Sequence, residues 1–157
     1  MTAIDLALQL FDDSWSHNYE SVHSALDNLT ESEALWQHSS YADVEPEQGF
    51  PLPGSILWHI AHIEHYARVY ASILRNRPVS KYPDLPTPTA TTLPELRSAM
   101  EQALQELRDA IAALRDEDLG SNCIGKASVA EFLGLVMRHQ IWHGGEIAVA
   151  RRLYRTR

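Results

Sequence analysis

Apolar residues along this chain recur at steps of three and four, the period of an amphipathic helix, and almost nowhere at the step of two that marks a half-buried strand. Ile4, Leu8, Phe11, Trp15, Tyr19, Val22, Leu26 and Leu29 form the first such stripe, which predicts one helix from about Thr2 to Leu29. Ile56, Ile60, Ile63, Ala67, Tyr70 and Leu74 form the second, opened by a cap at Gly54 or Ser55 and closed near Arg75, ahead of Pro78. Leu93, Leu96, Met100, Leu104, Leu107, Ile111 and Leu114 form the third. Its start is signalled by a Thr92/Glu95 capping box with Pro94 in the first turn. A Ser128/Glu131 box opens the fourth, whose apolar positions are Phe132, Leu135, Val136, Ala150 and Leu153.

Between these stripes lie three connections. "SEALWQHSSYADVEPEQGFPLPG" is long for a loop in a compact domain, and such loops are often functional. "RPVSKYPDLPTPTA" is proline-rich and should be extended. "RDEDLGSNCIGKA" carries two glycines. No internal repeat and no strand-period segment stands out. Four amphipathic helices in 157 residues predict one all-α domain over 1–157, a four-helix bundle. The long first connection leaves simple up-down-up-down order open.

Composition narrows the function. A formal net charge of −8 argues against a nucleic-acid binder, which needs a basic face, and against attraction to anionic lipid. The acidic balance suits cation binding but mostly favours solubility. Cys123 is the only cysteine, so no intrachain disulfide forms, and a cytoplasmic home is expected. "MTAIDLALQLFDDSW" lacks a basic n-region and is not read as a signal peptide, and no run of about 18 apolar residues is present.

The histidines change the picture most. On the fourth helix, Phe132 to His139, Val136 to His143, His139 to Glu146 and Glu146 to Leu153 are each seven residues apart, almost two turns. His139, His143 and Glu146 therefore fall on the apolar stripe, where ionisable groups are costly unless paired or metal-bound. The second helix carries "LWHIAHIEHY": His59 lies on the inner side, His62 on its border, and His65 on the side of Trp58, Arg68 and Ser72, facing out. One inward histidine there and two on the fourth helix would make a three-His site. Imidazoles suit zinc, nickel, iron or copper, and three ligands leave room for water or substrate. The competing reading is a set of hydrogen-bonded core histidines with no metal. His17, His23 and His38 show no partner pattern and are taken as surface or loop residues, and Cys123 as a plain thiol.

"SILWHIAHIEHYARVY" and "RHQIWHGGEIAVARRL" resemble the two motif helices of the DinB/YfiT-like superfamily of metal-dependent enzymes, the damage-inducible helical family unrelated to the DNA polymerase of the same name. The resemblance implies a four-helix bundle of up-down-down-up order, a homodimer, and one divalent metal held by His59, His139 and His143. Nickel or zinc is the first expectation for that metal, with iron another. His62 and His65 stay outside the ligand set on this reading. Glu146 matches an acidic or amide position of the family, where it would orient an imidazole or act as a base beside bound water; a buried salt link to an arginine is the alternative. Gly144 and Gly145 each cost the helix about 1 kcal/mol relative to Ala, so close approach of a helix or substrate is expected there.

The function implied is Lewis-acid catalysis on a small molecule, either transfer from a low-molecular-weight thiol cosubstrate or hydrolysis. The alternative is a non-catalytic metal-binding or stress-response dimer. In either case the loop from Ser32 to Pro53, with Trp36 and Tyr41, is placed to cover the pocket mouth.

Overall fold

The computed structural model covers residues 1–157 and is mainly helical. Its helices are α1 (Ala3–Ser16), α2 (Val22–Leu26), α3 (Glu31–Leu35), α4 (Ile56–Asn76), α5 (Leu93–Ala112) and α6 (Val129–Arg155). A hairpin of β1 (Asn122–Ile124) and β2 (Ala127–Ser128) precedes α6. None of the helices is long and apolar enough to cross a membrane.

The stripes expected for α4 and α5 are buried throughout, and these two helices pack along each other. α1 lies against α5 and α6, and α4 also touches α6. Their starts follow from local chemistry. Ser55 Oγ accepts the Trp58 N–H at 3.1 Å, and the Ser128 N–H donates to Glu131 at 2.7 Å. Thr92 Oγ1 donates to Glu95 at 2.8 Å. The start of α1 is also satisfied from far away: Asp116 accepts the N–H groups of Ala3 and Ile4, both at 3.0 Å, placing a carboxylate at the positive end of that helix.

Three expectations are revised. The first helix is not continuous to Leu29. Ser14 and Ser16 turn their hydroxyls back onto the carbonyls of Phe11 and Asp12, and Glu20 takes a positive φ of 55°. Ser21 then starts α2 with its own cap, so Tyr19, expected inside, is exposed. The break turns α2 onto α6.

The connection before α6 holds the hairpin, whose strands of three and two residues are too short to show a period. Val79 extends it by donating to Cys123 O and accepting from Gly125 N, both at 2.9 Å, which pins the proline-rich connection. Leu153, counted among the apolar positions of the last helix, is 40% exposed. A straight helix drifts about 20° per heptad away from a seven-residue repeat, and by the last turns Ile147 and Ala150 hold the inner face instead.

Candidate metal centre

α4 and α6 run side by side where their histidines sit, and the side chains converge between them. His62 Nε2 lies 3.2 Å from His139 Nε2, which in turn lies 3.2 Å from His143 Nε2. The ligand atoms of these three residues all fall within 4.8 Å of one another. Bonds of about 2.0–2.1 Å to a tetrahedral ion would set neighbouring nitrogens ~3.3 Å apart. Two edges of the triangle already have that length, so the donor set fits a transition-metal ion that favours imidazole.

His59, the expected partner of His139 and His143, meets His143 but not His139. Its Nδ1 meets Nδ1 of His143 at 2.9 Å, on the side of that ring remote from His139. His62, three residues further along α4, presents Nε2 to the cluster instead. The cause is angular. Three residues advance a helix by about 300°, so one residue of the pair faces the cluster edge and the other faces the back of His143. When His143 Nδ1 carries the proton and donates it to His59 Nδ1, Nε2 of His143 keeps a free lone pair, as a ligand needs.

Aromatic rings close the surroundings. Trp58 stacks on His62 with centroids 4.6 Å apart, and Tyr66 lies 4.5 Å away on the same imidazole. Tyr66 and Tyr70 each lie 5.4 Å from His139. Burial in these walls disfavours the charged imidazoles. It pushes His59 and His139 down to about 4. His62 falls to about 3 and His143 to about 2, where burial is joined by repulsion from neighbouring histidines. All four are neutral at neutral pH, the form that binds metal. The Nδ1 atoms of His62 and His139 have no partner, so His143 alone is oriented through its second nitrogen.

The other named residues lie apart. His65 is half-buried against Phe50, at 5.7 Å between centroids. His23, expected at the surface, tucks edge-on beside Trp15. His38 caps a short turn through the Ser40 N–H. Cys123 is buried, which pushes its thiol up and makes it a poor nucleophile. Glu146 is half-buried and borders the same cavities as His59. It forms no ion pair, so the salt link considered for it is absent. The sequence reading missed the aromatic walls. Their signal was present as Trp58, Tyr66 and Tyr70, which interleave with His62 on α4.

The two glycines separate. A Cβ on Gly144 would meet the backbone of Ser21 and Val22 at 3.5–3.7 Å, so the start of α2 sits over it. A Cβ on Gly145 would meet nothing within 4 Å. Gly145→Ala is therefore expected to raise stability by about 0.5–1 kcal/mol, read as a higher urea midpoint, whereas Gly144→Leu should lower it.

A model of the DinB superfamily matches residues 14–147, a span that includes α4, the triad and Glu146. Searches of curated proteins and of solved structures returned no significant match. The family match covers most of the chain, and the chain belongs to the DinB superfamily.

Proposed function

We propose that this protein is a divalent-metal enzyme whose metal is held by His62, His139 and His143, and that it transfers a low-molecular-weight thiol to an electrophilic small molecule. The observation that carries the reading is the convergence of three neutral imidazole nitrogens, two edges at 3.2 Å, inside an aromatic shell. A metal there would act as a Lewis acid that lowers the pKa of a thiol or of water. The protein's part is to supply three uncharged donors, to hold the His143 ring through His59, and to keep the centre dry with Trp58, Tyr66 and Tyr70. Hydrolysis by activated water is the variant reading of the same centre. Nickel and zinc are the first candidates for the ion.

The same reading takes α1, α4, α5 and α6 as an up-down-down-up bundle. It is supported by the long connection across residues 77–92, since the parallel step from α4 to α5 needs a crossover. The test is elemental mass spectrometry of protein purified without a His tag, beside a His143→Ala control. Near-stoichiometric transition metal, lost in the control, is expected. Absence of metal after reconstitution with divalent ions would leave hydrogen-bonded core histidines and end the catalytic reading.

A further inference from the structure

Two cavities, of about 220 and about 320 Å³, lie between α6 and the connection that leads into α4. They share Tyr41, Gly54, His59 and Glu146, and so form one groove. Of the three converging histidines only His143 lines it, beside His59, and the groove has the size of a small-molecule site.

Its walls have an unusual composition. Trp36, Tyr41, Trp58 and Trp142 contribute aromatic rings, and no lysine or arginine lines either cavity. Glu146, at the shared centre, is the only acidic residue in the lining and has no charged partner. The Tyr41 wall is set in place by backbone: Gly54 has φ +71°, and a Cβ there would fall 2.5 Å from the Tyr41 ring. Val44, which lines the groove, is flanked in sequence by exposed Asp43 and Glu45, whose charge favours cations nearby.

Aromatic faces around an unpaired carboxylate are the chemistry that recognises an organic cation. We propose that this groove binds an ammonium group, primary or methylated, carried by the substrate of the metal centre. The proposal rests on the metal-enzyme reading only in taking the groove as the substrate's entry. The affinity itself belongs to Glu146 and the rings.

The test titrates choline into the full-length protein by calorimetry, against the uncharged analogue in which carbon replaces the quaternary nitrogen. Both titrations are run on metal-loaded and on chelator-treated protein. Choline is expected to bind at least tenfold more tightly than its neutral analogue. Glu146→Gln should weaken choline about tenfold while leaving metal content and the neutral analogue unchanged, and Trp142→Ala should weaken choline severalfold. Equal affinity for the two probes, no binding of choline, or wild-type affinity in Glu146→Gln would each overturn the proposal. So would a dimer that buries Trp142 and excludes the probe. Binding that survives in protein unable to take up metal would support the groove while ending the metal reading. Stoichiometric metal without cation selectivity would do the reverse.

Discussion

A His62→Ala variant is expected to take up no transition metal under conditions that fill the wild type, whereas His59→Ala should still bind it. Structural zinc sites yield on the order of 10–16 kcal/mol. Spread over a few ligands, that is roughly 3 kcal/mol or more each, above a hundredfold in affinity. His62 supplies one of the three converging nitrogens, 3.2 Å from that of His139. His59 instead meets the second nitrogen of His143 at 2.9 Å, and loss of such a partner typically costs about 10–100-fold.

Cobalt substitution separates the two roles without reference to activity. The visible spectrum of His59→Ala should keep the wild-type band positions, because its ligand set is unchanged. His59→Asn, which restores a hydrogen-bonding group behind His143, should recover part of the affinity. If His59→Ala lost metal and His62→Ala retained it, the ligand set implied by the motif resemblance would stand and the one drawn from the geometry would fall.

Replacing Glu33 should produce the largest loss of stability outside the hydrophobic core. Glu33 is 3% exposed, and its carboxylate accepts from the Thr30 N–H at 2.9 Å and from Arg155 Nε at 2.7 Å. Arg151 Nε, on a side chain 11% exposed, lies 3.6 Å away. Glu33→Ala leaves the Arg151 guanidinium with only its bond to the Ala25 carbonyl and removes the carboxylate half of the α3 capping box, while Thr30 Oγ1 still accepts the residue-33 N–H. Breaking a buried pair costs about 3–5 kcal/mol. Arg155 is more than half exposed and can turn to solvent, so about 3 kcal/mol is expected.

The effect has a defined pH window. Hydrogen bonding to Thr30, followed by Arg155 and Arg151, lowers the Glu33 carboxyl from 4.5 to about 2. A depressed carboxylate stabilises the fold fully above about pH 4.5 and loses that contribution as pH falls toward 2. The stability difference between wild type and Glu33→Gln should thus be flat above pH 5, at about 2 kcal/mol, and shrink below it. The buried histidines also make the fold acid-sensitive, below about pH 6.5, but they do so in both proteins and cancel in the difference. Urea unfolding across this range checks it. A difference that stayed constant to pH 3 would show that Glu33 acts by packing rather than by charge.

These two sites show how far local pattern reaches. The stripes of α4 and α5 were legible because each buries one face against a neighbour, and burial along a helix imposes a period of 3.6. The caps at Thr92 and Ser128 were legible because a cap is satisfied within four residues. The end of α1 was not. The spacing of Trp15, Tyr19 and Val22 continues the stripe, and only the packing of α2 on α6 rewards the turn at Glu20. Glu33 belongs to its own capping box in sequence, while its arginines lie more than a hundred residues away on α6.

The candidate centre divides along the same line. That two helices carry histidines on their inward faces, and that His139 and His143 are one turn apart on α6, is a property of the sequence by itself, because a helix fixes the direction of each side chain relative to its neighbours. Which histidine of α4 turns a nitrogen toward His139 depends on tertiary structure. His59 and His62 both lie near the inner face, and the choice depends on the rotation of α4 about its own axis against α6. That rotation is set by how Trp58, Tyr66 and Tyr70 pack around the imidazoles, a sum of contacts between residues some 70 to 85 positions apart that no local spacing encodes.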